Sequence, residues 1–175
     1  AGLAAGLSLP VIAQGLEAFR PVAGRLVASA GIHGSTVIDD SYNANPDSMR
    51  AAIDVLAAWP GVRWLAMGDM GEVGGRGPEF HREIGGYARI AGIERMFACG
   101  PLAAEAVRAF GTGATHHASA EAVASEVAAA VADRAQSLAQ PGARAGITVL
   151  VKGSRFMRME KVVAALTGAS SGSAH

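Results

Sequence analysis

Ser35-Thr36-Val37-Ile38-Asp39-Asp40-Ser41-Tyr42-Asn43-Ala44-Asn45-Pro46-Asp47-Ser48-Met49 compresses a strand, a polar loop and a helix start into one stretch. The β-branched run Thr36-Val37-Ile38 suits a strand. Asn45 suits the cap of a helix, Pro46 its first turn, and Asp47 the positive end of the helix dipole. A strand that feeds a helix directly is the unit of a parallel α/β sheet. Outward from this unit the pattern repeats. Residues 25–30, RLVASA, form a strand that meets 35–39 across a hairpin loop, Gly31-Ile32-His33-Gly34. Downstream, helix 45–59 leads to strand 64–67, and helix 78–90 to strand 95–99. Helix 101–110 then leads to strand 114–117, and helix 119–138, through a loop at 139–146, to strand 147–151. A last helix spans 155–166. The expected fold is α/β, a Rossmann-like, mostly parallel sheet of about six strands with helices on both faces. A short helix at 8–19, broken by Arg20-Pro21, precedes it. No internal repeat is visible.

Composition bounds the function. The chain has 175 residues, half of them hydrophobic, with formal net charge zero. One full core is within reach, and neither nucleic acid nor an anionic membrane is implied as a partner. No apolar run approaches the ~20 residues of a membrane span. Cys99 is the single cysteine, so no internal disulfide forms, which suits a reducing compartment; its apolar setting, MFAC, marks a buried structural thiol. Only Lys152 and Lys161 are lysines, against thirteen arginines. His116 and His117 are neighbours on a strand and point to opposite faces, so they do not share a metal. His81, alone on a helix, reads as a surface or core residue.

In parallel sheets ligands bind outside the carboxyl ends of the strands. That directs attention to three loops. In the first, helix punctuation accounts for Asn45, Pro46 and Asp47 but not for Asp39, Asp40, Tyr42 and Asn43. A strand-end carboxylate can accept hydrogen bonds from both hydroxyls of a ribose. The second, Gly68 to Gly77, carries five glycines in ten residues, together with Asp69 and Glu72. It is either a mobile surface loop or a backbone shaped for close approach to a ligand. The third, Lys152-Gly153-Ser154-Arg155, sets two cations and a cap candidate at a helix start. It is either a surface pair or a carboxylate or phosphate site.

Four stretches occur in a familiar order: FRPVAGRL (19–26), DDSYNANPDSM (39–49), MGDMGEVG (67–74) and VKGSRFMRMEKVV (151–163). Together they resemble the C-terminal part of the Mur ligase family, and within it the members that add D-alanyl-D-alanine to UDP-MurNAc-tripeptide. The resemblance implies a cytoplasmic, monomeric, three-domain enzyme of peptidoglycan synthesis that uses ATP and Mg2+. Residues 1–24 would end the central, ATP-binding domain and form the hinge. Residues 25–168 would be the C-terminal domain, and 169–175 a disordered tail. By the same resemblance Arg25 contacts the nucleotide and Asp40 its ribose. Tyr42, Asn43, Asn45, Asp69, Glu72, Lys152, Ser154 and Arg155 serve substrate binding, with Asp69 or Glu72 pairing with the dipeptide ammonium. Lys152 would hold the dipeptide carboxylate or the transferring phosphate. The partners are D-Ala-D-Ala, UDP-MurNAc-tripeptide and the enzyme's own central and N-terminal domains.

A phosphate loop of the Gly-Lys-Ser/Thr type needs the dipeptide Gly-Lys, which does not occur in these residues. The chain by itself is therefore expected to be inactive towards ATP, with the phosphate loop and magnesium ligands carried upstream. Two other readings share the same pattern. One is a sister amide ligase, another Mur enzyme or a folylpolyglutamate synthase. The other is a non-catalytic nucleotide- or peptide-binding module of the same fold.

Overall fold

The computed structural model describes residues 6, 8–11, 22–138 and 146–168. Residues 9–11 are helical. The rest of the expected 8–19 helix, most of the 139–146 loop and the 169–175 tail lie outside the described residues.

Among the described residues six strands form one sheet: β1 (Val27–Ala30), β2 (Thr36–Asp40), β3 (Val62–Met67), β4 (Arg95–Cys99), β5 (Ala114–His117) and β6 (Ile147–Lys152). Five helices of two turns or more connect or follow them: α1 (Pro46–Ala57), α2 (Gly77–Ile90), α3 (Ala103–Phe110), α4 (Ala120–Leu138) and α5 (Glu160–Thr167). The strand order is β1-β2-β6-β3-β4-β5, with β1 antiparallel to β2 and every other pairing parallel. The sheet is thus of the expected class.

Alternation of side chains along each strand builds two cores. Leu65, Met67, Met96, Ala98 and Leu150 pack under α1, α2 and α3. Trp64, Ala66, Phe97, Val149 and Val151 pack under α4 and α5. Burial on both faces is why β6 reads as a continuous apolar run, ITVLV. The last strand inserts between β2 and β3, so the loops that follow β2, β6 and β3 end side by side at one edge. These are the three loops to which the strand-end rule directs attention.

Most boundaries shift by one or two residues, and two of the differences have a visible backbone cause. The first strand begins at Val27 and not at Arg25, because Gly24 (φ 75) and Leu26 (φ 52) are left-handed. The last helix begins at Glu160 and not near Arg155. Arg155–Met157 form one 3-10 turn, and Arg158 (φ 54) is left-handed. The turn has a packing reason. Met157 and Met159 press onto Gly68 and Gly153, where an added Cβ would come within 2.8 Å of Met157 and 2.6 Å of Met159. A continuous helix from Arg155 would not deliver both methionines to these glycines.

Candidate functional site

Sheet register builds the floor of the site. Asp40, the last residue of β2, is the parallel-strand neighbour of Lys152, the last residue of β6. Both are buried, and Lys152 Nζ donates to Asp40 Oδ2 at 2.6 Å and to the Asn43 carbonyl at 2.8 Å. The Leu26 amide donates to the other oxygen, Asp40 Oδ1, at 3.1 Å. Asp39 points the other way and closes the turn, accepting from the Ser41 amide and hydroxyl.

Above the floor the first loop folds over the start of the domain. The Tyr42 amide donates to the Gly24 carbonyl at 3.0 Å. Any side chain at Gly24 would meet the Tyr42 backbone at 3.0 Å, and its φ of +75° is left-handed, so glycine is required there. The Tyr42 ring is 44% exposed and carries two guanidiniums, Arg25 at 4.5 Å and Arg155 at 5.7 Å from its centroid. Such cation–aromatic contacts hold long side chains in place without neutralising them. Asn43 Oδ1 accepts from the Ala44 amide. Asn45 makes a reciprocal cap with Ser48: its Oδ1 accepts from the Ser48 amide at 2.8 Å, and its own amide donates to Ser48 Oγ at 3.0 Å. Arg25, Asp40, Tyr42, Asn43, Asn45 and Lys152 line a cleft of about 360 Å³.

The second and third loops are tied to the first from beneath. Ser154, also buried, accepts from the Gly71 amide at 2.5 Å through Oγ and donates through it to the Ala44 carbonyl at 3.1 Å. Its own amide donates to the Asp69 carbonyl. One hydroxyl therefore joins all three loops. Asp69 is buried, and its carboxylate accepts from the amides of Ala103 (2.7 Å) and Leu102 (3.3 Å) at the start of α3. His81 is fully buried. Its Nε2 accepts from the Met70 amide at 2.9 Å, so its proton sits on Nδ1 and is donated to the Gly77 carbonyl at 2.7 Å. The Gly-rich loop is therefore pinned at both ends, and Glu72 (φ 56) lies exposed between the pins.

This geometry bears on three sequence expectations. Lys152, expected to hold the dipeptide carboxylate or the transferring phosphate, has its ammonium bound to the Asp40 carboxylate and the Asn43 carbonyl. The exposed cation of the third loop is Arg155. Ser154 caps no helix; it joins loops. Asp69 is spent on α3, which leaves Glu72 as the solvent-facing carboxylate of its loop. Residue type alone did not reveal Leu26, whose strained backbone aims an amide at Asp40, or Phe156, an aromatic side chain 65% exposed at the same edge. The signal for Phe156 was an aromatic inside a polar strand-end turn.

Among the described residues no three His, Cys, Asp or Glu side chains converge on a point that suits a metal, and no helix is long and apolar enough to cross a membrane. Cys99 is buried against Met159, and burial above all pushes its thiol up to about 11, with the negative charges of Asp69 and Glu121 adding to it. A protonated, enclosed thiol is a packing group and not a nucleophile.

Comparison with known proteins bears on the same elements. Residues 24–155 match the family model of the Mur ligase glutamate ligase domain. The UDP-N-acetylmuramoyl-tripeptide–D-alanyl-D-alanine ligase of Escherichia coli K12 is 37% identical over 164 residues, covering 94% of this chain and 34% of its own length. A crystal structure of MurF from Acinetobacter baumannii superimposes with a TM-score of 0.77 at 32% identity, over 93% of this chain and 34% of that one. The structure of MurF ligase from Thermotoga maritima in complex with ADP shares the fold, with a TM-score of 0.72 at 24% identity over 94% of this chain and 34% of that one. The chain spans about a third of the length of the relatives it matches. From the site, the sheet order and these matches together, the chain belongs to the Mur ligase family.

Proposed function

We propose that this chain is the C-terminal, substrate-positioning domain of an ATP-dependent ligase that adds D-alanyl-D-alanine to UDP-MurNAc-tripeptide in the cytoplasm. The observation that carries the reading is the cleft lined by Arg25, Asp40 and Tyr42, with Arg155 set over the same Tyr42 ring from the loop after β6. The Escherichia coli relative is named for a ligase acting on this pair of substrates. Residues 22–26, with two left-handed backbones at Gly24 and Leu26, serve as the hinge to a central domain.

The reaction forms an amide from a carboxylate, which is a poor electrophile at neutral pH. ATP transfers its γ-phosphoryl group to the tripeptide carboxylate, making the acyl phosphate and releasing ADP. The dipeptide amine then attacks the carbonyl carbon, the C–N bond forms, and phosphate leaves. This domain contributes position. Asp40 meets the ribose hydroxyls and Arg25 the nucleotide phosphates. Arg155 offers its planar guanidinium to the dipeptide carboxylate. Exposed Glu72 receives the dipeptide ammonium and orients it before it loses a proton. Asn43 and Asn45 supply amide groups along the cleft wall. Closure over the nucleotide excludes water from the acyl phosphate. Mg2+ is held mainly by the central domain of the complete ligase.

The test is phosphate release by the ligase that carries this domain, with ATP, Mg2+ and UDP-MurNAc-tripeptide, with and without D-Ala-D-Ala. The proposal expects release that depends on the dipeptide, and none from the isolated chain. Release that depends only on another amine would shift the reading to a sister ligase. A folded protein that binds nucleotide and releases nothing would refute it.

A further inference from the structure

We propose that Lys152 is a positioning residue for sugar recognition, acting only through Asp40; the inference rests on the reading that Asp40 meets the ribose. A buried lysine at a sheet centre demands a reason, because a buried ion pair is no more stabilising than two well-packed apolar residues. The neighbouring register pairs, Val37 with Val149 and Ile38 with Leu150, are apolar, so the strands do not need the ion pair to associate. The pair stands where the strands end and the cleft begins.

Asp40 is braced at both oxygens. Oδ1 takes the Leu26 amide and Oδ2 takes the Lys152 ammonium. A carboxylate has about four acceptor positions, so each oxygen keeps one or more for a ligand. Two braces fix rotation of the carboxylate and leave one acceptor per oxygen for the two hydroxyls of a cis-diol. Lys152 also holds the first loop through the Asn43 carbonyl, but that loop has two further ties. The Ser154 hydroxyl on Ala44 and the Tyr42 amide on Gly24 hold it independently. Loss of Lys152 should therefore damage recognition of the sugar and spare the dipeptide.

The experiment compares KM for ATP, 2′-deoxy-ATP and 3′-deoxy-ATP, and KM for D-Ala-D-Ala, in the complete ligase. A hydroxyl bonded to an ionised carboxylate is worth roughly tenfold or more, so the unaltered enzyme should prefer ATP over each deoxy analogue by about that factor. Lys152→Met should bring both ratios to within about twofold of unity while the dipeptide KM changes less than about threefold. Unchanged ratios in a folded Lys152→Met enzyme overturn the inference, as does a loss confined to the dipeptide. Should Lys152→Met not fold, Asp40→Asn is compared with Asp40→Asn/Lys152→Met, which leaves no lone buried charge. No further rise in KM for ATP supports action through Asp40. A further tenfold rise means that Lys152 touches the nucleotide itself and overturns the proposal. Asp40→Asn separates the two levels: if it leaves the deoxy ratios unchanged, the ribose reading fails and this inference with it. If it collapses them while Lys152→Met does not, only this inference fails.

Discussion

Two adjacent glycines in α2 make opposite predictions for the same methyl group. At Gly85 a Cβ would stand 2.1 Å from the Ala106 carbonyl oxygen and 2.7 Å from the Ala106 Cα. Ordinary contact begins at 3.4 Å, so α2 and α3 would have to separate by about 1.3 Å. The obstacle is helix backbone, which cannot swing aside as a side chain does, so overpacking falls at the upper end of its range, about 3 kcal/mol. Replacing a helical glycine by alanine returns about 1 kcal/mol of propensity. Packing wins, and Gly85→Ala destabilises by about 2 kcal/mol. At Gly86 nothing lies within 4 Å of the added carbon. Only the propensity gain of about 1 kcal/mol remains there. At roughly 2–4 °C per kcal/mol, Gly85→Ala should lower Tm by about 4–8 °C and Gly86→Ala should raise it by about 2–4 °C. Thermal unfolding followed by far-UV circular dichroism reads both. A rise in Tm for Gly85→Ala, or shifts of the same sign, would refute the reasoning. The site should feel the first change too, because the Leu102 and Ala103 amides at the start of α3 hold Asp69.

Three further outcomes follow from single contacts. Ser154→Ala strands the Gly71 amide and the Ala44 carbonyl, at roughly 1–3 kcal/mol each, so urea unfolding should show a loss of about 3 kcal/mol; a change below about 0.5 kcal/mol would contradict the three-loop tie. Cys99, protonated and enclosed, should react with iodoacetamide at neutral pH at least about 100-fold more slowly in the folded protein than in denaturant, and equal rates would contradict its burial. Glu121 is held at about 2, chiefly by the hydrogen bond from Lys161, against an ordinary 4.5. Its folded value is depressed, so its contribution is present above the unfolded value and is lost as pH falls towards 2. Lys161→Ala should move the Glu121 carboxyl back up in an NMR titration, and an unmoved value would exclude the pair as the cause.

Local signals made much of this legible in advance. Asn45-Pro46 fixed a helix start to the residue, since cap and proline chemistry act within one turn. The apolar runs located β3, β4 and β6 because strands buried on both faces leave no room for polar residues. Strand order is not written locally, yet the rule that ligands meet strand ends selected the loops that adjacency of β2, β6 and β3 brings together. Orientation stayed hidden. Lys152 and Arg155 look alike as cations three residues apart, but the register with Asp40 turns one inward, while Arg155 opens the 3-10 turn after the strand and is exposed. Asp69 and Glu72 divide in the same way, because the start of α3 lies against only one of them. These outcomes depend on residues distant in sequence, which residue type and spacing do not encode.

The most direct test of the account is a pair of Michaelis constants in the complete ligase carrying Arg25→Ala or Arg155→Ala. The account assigns the two guanidiniums that share Tyr42 to different substrates. Arg25→Ala should raise KM for ATP by about tenfold or more and leave that for D-Ala-D-Ala within about threefold, and Arg155→Ala should do the reverse. Equal effects of both substitutions on both constants would contradict it.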